Sequence, residues 1–104
     1  MTRKKIIKIN KKAKAFDDKY PVVEVEWVDI CSNAEWMTVQ DLHDMTLPTC
    51  FTKGHLLTQK NGITRIFADT SKFFSSSTDD EGDLETIGNV TIIPNSVIRN
   101  IKKL

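Results

Sequence analysis

The dipeptide Asn61-Gly62, preceded by Lys60 and set between two apolar runs, constrains this chain more than any other feature. Both residues tolerate positive φ, so Asn-Gly at this place specifies a tight turn whose twist matches the strands it joins. It predicts a long antiparallel hairpin, with strands over 49–59 and 63–73. A chain built around such a hairpin must bury one face of each strand, and the flanking sequence supplies the partners.

Val22 to Ile30 alternates, with Val23, Val25 and Trp27 on one side and Glu24 and Glu26 on the other. That is the period of a half-buried strand. Pro21 precedes it, a position proline occupies without losing a ladder bond. Thr38 is a good helix N-cap, Asp41 puts negative charge in the first turn, and Val39, Leu42 and Met45 recur every three residues. A helix of about two turns is expected there, ended by Pro48. Glu85 to Ile93 reads as another strand, with Gly88 at a bulge or bend. Pro94-Asn95-Ser96 breaks it. For Val97 to Leu104, Val97, Ile101 and Leu104 suit a helical period, but the β-branched content and the abrupt break favour a strand.

The order is thus strand, short helix, long hairpin, loop, then strand, tight turn and strand. Five short antiparallel strands predict a mainly β fold, a small five-stranded antiparallel barrel with one short helix after the first strand, because closure removes exposed edges. The 104 residues, 39% hydrophobic and 28% charged, suffice for one such domain and its modest core. We place a basic N-terminal arm at 1–20 and the barrel domain at 21–104. Trp27 and Trp36 are expected to anchor the core or an interface, and most of Trp27, Trp36, Phe51 and Phe67 are expected in the core.

Two resemblances follow from these residues. The ending Asn89-Val90-Thr91-Ile92-Ile93-Pro94-Asn95-Ser96-Val97-Ile98-Arg99-Asn100-Ile101 resembles the last two strands of Sm-like and SH3-like barrels, which implies a one-turn 3₁₀ element between strands that continue across the barrel. Val23-Glu24-Val25-Glu26-Trp27-Val28-Asp29-Ile30, then Trp36, Gly54-His55-Leu56-Leu57 and Ile92-Ile93-Pro94-Asn95-Ser96-Val97-Ile98, resembles a group of small bacteriophage proteins. Those have a strand ending in Trp-x-Asp, a second Trp, a Gly-Tyr-Leu-like strand and an Ile-Pro-x-Ser-x-Ile close. His55 stands where that group carries an aromatic. This likeness spans 22–104 and implies a phage origin.

Charge is distributed unevenly. Residues 1–14 hold Arg3, Lys4, Lys5, Lys8, Lys11, Lys12 and Lys14 and no acid, a charge of +7, whereas the remainder carries −6. Such an arm suits contact with nucleic-acid phosphates, docking on the acidic surface of a neighbouring copy, or a solvated tail. Arg99, Lys102 and Lys103 are candidate additions to a basic contact surface, and Trp27 and Trp36 are candidate aromatic contacts. The acidic stretch from Phe74 to Asp83 reads as a mobile loop.

Catalytic and metal-binding patterns are weak. Cys31, His43, Cys50 and His55 are separated by 12, 7 and 5 residues, unlike the tight pairs of structural zinc. No glycine-rich turn flanks either cysteine to make an oxyanion hole. Asp29, Glu35, Asp41 and Asp44 read as caps and solvated acids rather than a hydrolytic pair. Asp79, Asp80, Glu81 and Asp83 do not fit an EF-hand frame, and the four glycines do not form a phosphate loop. Neither metal nor cofactor is expected.

Two cysteines point to a reduced environment, and purely apolar runs of three residues or fewer fall far short of the ~20 a membrane helix needs. No apolar run follows Met1 to Lys5, so a secretory signal is not expected; host cytoplasm or virion is. The leading functional expectation is a non-enzymatic phage protein that binds protein: its own copies, a virion component or a host component. The alternatives are an RNA- or DNA-binding accessory protein using the basic arm, and a counter-defence protein sequestering a host factor or a nucleotide between subunits.

Overall fold

The computed structural model describes residues 16–71, 84 and 86–104. The basic stretch Arg3 to Lys14 and the acidic stretch 74–83 lie outside the described residues. The described chain is mainly β, with α1 (Phe16–Lys19), β1 (Val22–Val28), α2 (Val39–Asp44), β2 (Thr49–Thr58), β3 (Ile63–Phe67), β4 (Asp69–Thr70), β5 (Ile87–Gly88), β6 (Thr91–Pro94), a 3₁₀ turn (Asn95–Val97) and β7 (Ile98–Lys103).

The hairpin forms where Asn61-Gly62 puts it. Asn61 has φ 56° and Gly62 φ 75°, and the Ile63 amide donates to the Lys60 carbonyl at 3.1 Å. Its second strand is shorter than expected: β3 ends at Phe67, and β4 pairs instead with β5 in a separate two-stranded sheet. Gly88 is a regular strand residue. The chain turns one position later, at Asn89, with φ 52°, and the Asn89 side-chain amide donates to the Asp69 carboxylate. Asparagine is among the few non-glycine residues that enter this region readily. The segment after Pro94 is a 3₁₀ turn followed by a strand, as its β-branched content favours.

Five strands form one antiparallel sheet in the order β6-β3-β2-β1-β7. β2 serves both halves, pairing with β1 from Thr49 to His55 and with β3 from His55 to Thr58. At the changeover Gly54 is required: a Cβ there would run into the Ile66 side chain and approach the Phe67 carbonyl oxygen to 3.0 Å.

β6 and β7 occupy opposite edges, yet only the 3₁₀ turn separates them. Five flat strands would hold those edges at least about 19 Å apart, since neighbouring strands lie ~4.8 Å apart. Four Cα steps from Pro94 to Ile98 reach about 15 Å even when fully extended, and less in a 3₁₀ turn. The sheet is therefore strongly rolled. It is not closed, because no ladder joins β6 to β7.

The concave face buries Val23, Val25, Leu56, Ile66, Ile93, Ile98 and Ile101, with Trp27 and Val97 packed against them. Each fully buried aliphatic side chain contributes about 1.5–3 kcal/mol of transfer free energy. The one buried polar side chain among the described residues is Thr64, whose hydroxyl donates to Asn95 Oδ1 at 2.6 Å, tying the 3₁₀ turn to β3. Trp27 donates its indole N–H to the Thr52 hydroxyl at 2.9 Å across the β1–β2 pair.

A second helical element exists beyond the one expected. Residues 16–20, grouped by sequence with the basic arm, make a helical turn on the opposite side of β3 from Ile66. Phe67 follows Ile66 and so points the other way; it is fully buried beneath Phe16 and Tyr20. His55 completes this cluster, stacked on Phe67 at 5.5 Å and edge-on to Phe16 at 4.7 Å, with its Nδ1 2.8 Å from the Tyr20 carbonyl oxygen. Among the described residues, no helix is long and apolar enough to cross a membrane.

Candidate interaction surface

Beyond Val28 and Thr49 the β1–β2 ladder ends with one more bond, from the Asp29 amide to the Pro48 carbonyl at 3.0 Å. Residues 29–48 leave and return through that neck, and every one of them is exposed. This projection is organised by its own short-range bonds. Asp29 Oδ1 accepts from the Ile30 amide at 2.8 Å, and Asn33 Oδ1 accepts from the Glu35 amide at 2.9 Å. Thr38 Oγ1 accepts from the Asp41 amide at 3.0 Å, capping α2 as the sequence predicts, and Gln40 donates to Asp44 at 3.1 Å.

Among the described residues the apolar stripe on α2 enters no core. Val39 is 75% exposed and Leu42 63%, and no residue of α2 is buried. Trp36 is fully exposed, and Ile30 and Leu47 are largely so. This corrects the expectation that most of the aromatics lie in the core. Phe67 is buried beneath α1 and Trp27 is half-buried against the concave-face cluster, but Trp36 stands on the projection. Phe51 faces outward from β2 opposite Glu26 and extends the exposed apolar surface onto the sheet. The projection carries Asp29, Glu35, Asp41 and Asp44 and no lysine or arginine, so it is both apolar and acidic.

A six-residue helix with no buried residue lies well below the ~12–15 residues at which isolated helices become even marginal in water. Several large exposed apolar side chains within twenty residues suit a contact surface, whereas single exposed hydrophobics need no explanation.

The other candidate residues are dispersed. Trp27 and Trp36 do not meet. Glu24, on the convex face of β1, accepts from Lys102 at 3.4 Å and from Lys53 at 3.9 Å, so Lys102 belongs to an ion-pair row across β2, β1 and β7. Arg99 donates to the Ser96 carbonyl at 3.4 Å, next to the 3₁₀ turn, and Lys103 lies exposed at the far end of β7. Arg3, Lys4, Lys5, Lys8, Lys11, Lys12 and Lys14 are outside the described residues. Cys31 is exposed on the projection, Cys50 is half-buried on β2, His43 is on α2 and His55 is under α1. Among the described residues no three His, Cys, Asp or Glu side chains are grouped to hold a metal ion.

Sequence reasoning identified α2 and its stripe but not their exposure. The available signal was joint: a helix too short to stand alone, in a stretch of both apolar residues and acids without a single lysine or arginine. No protein-family model, no curated protein and no solved structure matches the chain.

Proposed function

We propose that this protein is a non-enzymatic binding module whose rolled sheet presents the projection 29–48 to another protein: its own copies, or a virion or host component. The observation that carries the reading is the exposure of Trp36, and of Val39 and Leu42 on the short helix α2 that follows it, which no other described residue buries. Burying those side chains against a partner removes apolar surface from water and holds α2 in place. From the resemblance of 22–104 to small bacteriophage proteins we infer a phage context, with the module at work in the host cytoplasm or the virion.

The finer fold reading is a small SH3-like or Sm-like barrel. It is supported by first and last strands side by side, and by a one-turn 3₁₀ link between the two edge strands of the sheet. Small barrels of this kind present their loops and edges to partners around a rigid core.

The test compares the wild type with a Trp36→Ser/Leu42→Ser variant by size-exclusion chromatography with light scattering and by affinity capture. The reading expects association or partner capture by the wild type that the variant loses. A wild type that is monomeric at low and high salt, and captures the same proteins as the variant, would overturn it.

A further inference from the structure

The surface is two-sided in its chemistry, and so is another part of the chain. The projection is apolar and carries four acids without lysine or arginine. Residues 1–14 carry seven basic side chains without an acid and include Ile6, Ile7 and Ile9. We propose that the projection of one copy receives the basic N-terminal segment, residues 1–15, of a neighbouring copy. This rests on the projection being a protein-binding surface and names what binds there.

Charge and hydrophobicity both match. The segment's lysines complement Glu35, Asp41 and Asp44, while its isoleucines meet the surface formed by Trp36, Val39 and Leu42. Charge complementarity steers the encounter and sets the register, and apolar burial supplies the affinity. The acids at the root of the segment, Asp17 and Asp18, offer charge alone, because the ring of Phe16 beside them is already packed on His55 and Phe67.

The placement suits a neighbour as well as the same chain, since fifteen extended residues reach about 50 Å, and mixing an arm variant with a projection variant separates these cases. The segment joins the domain at Phe16, above His55 and Phe67, at the Val22 end of β1. The neck of the projection lies at the Val28 end. Seven strand residues place the two about 20 Å apart. A donor at one end and an acceptor at the other make a head-to-tail contact, which closes into a ring or continues as a filament according to the rotation between copies.

The experiment uses the full chain in three forms: wild type, an arm-reversed Lys4→Glu/Lys5→Glu/Lys8→Glu variant, and the Trp36→Ser/Leu42→Ser variant. Light scattering at about 0.05 M and about 0.5 M salt reads association, which screening weakens when charge pairs carry it. The wild type is expected to associate at low salt, at least about tenfold more weakly at high salt. Each variant alone is expected to be monomeric. An equimolar mixture of the two variants restores a heterodimer, because one supplies an intact segment and the other an intact projection.

A mixture that stays monomeric overturns the proposal. Association lost in the projection variant but kept in the arm-reversed one also overturns it, while leaving the projection as a protein-binding surface. Association that survives both variants overturns this inference and counts against the broader reading. A wild type that stays monomeric overturns the inference too. If arm reversal then abolishes a nucleic-acid gel shift at about 0.05 M salt, the segment's partner is nucleic acid. If deleting the segment instead exposes Trp36 in that monomer, the segment lies on its own projection.

Discussion

The backbone of Asp29 donates to the carbonyl of Pro48 at 3.0 Å, one step past the last β1–β2 pair, Val28 with Thr49. This bond separates the molecule into a rolled sheet that packs on itself and a projection that does not. The sheet should therefore fold without the projection. Replacing residues 30–47 by Asn-Gly, a turn suited to a two-residue hairpin, is expected to keep cooperative urea unfolding within about 1 kcal/mol of the wild type. Loss of a cooperative transition would show that the projection packs on the sheet after all.

Surface side chains on the projection should matter for contact and not for folding. Trp36→Ser/Leu42→Ser is expected to change unfolding free energy by no more than about 0.5 kcal/mol, the usual range for exposed positions. A loss of 2 kcal/mol or more on this test, about the cost of truncating a core side chain, would place these residues in a core.

Gly54 sits where β2 exchanges β1 for β3, and its missing Cβ is what lets Ile66 and the Phe67 carbonyl approach. Gly54→Ala is expected to destabilise by about 1–3 kcal/mol through overpacking, read from the urea midpoint at unchanged slope. A neutral Gly54→Ala would mean the two strands are further apart than described.

The convex cluster gives a separable prediction. Phe67→Ala is expected to cost about 3–5 kcal/mol, because the ring is fully buried under Phe16 and Tyr20. In a double-mutant cycle, Phe16→Ala and His55→Ala should couple by about 0.5–1.5 kcal/mol, as expected for an edge-to-face pair. Strictly additive costs would show that α1 does not dock through these rings.

The parts of the fold governed by local chemistry were legible in the sequence. Asn61-Gly62 needed only its own backbone preferences to set the turn, Thr38 only its own hydroxyl to cap α2, and the alternation of Val23, Val25 and Trp27 only its period to choose the concave face. What depended on partners far along the chain was not. The ring of Phe67 finds its cover in Phe16, which sequence grouped with a basic arm. The break at Asn89 is held by Asp69 twenty residues earlier, whereas local backbone preference alone points to Gly88. The helical stripe of Val39 and Leu42 looks the same whether it faces a core or water, because periodicity records which face is apolar and not what lies against it. The same limit explains Trp36, whose size suggested a core that its place on the projection denies it.

The central claim is that the projection is open in the single chain and covered by protein at working concentration. Its most direct test is the emission of Trp36, isolated as the difference between wild-type and Trp36→Phe spectra, with acrylamide quenching, over a dilution series. The account predicts a water-exposed, readily quenched indole at high dilution, shifting to shorter wavelength and becoming protected as concentration rises. A Trp36 that is already protected at the highest dilution, or that stays fully quenchable at every concentration and with every protein partner captured, would contradict it.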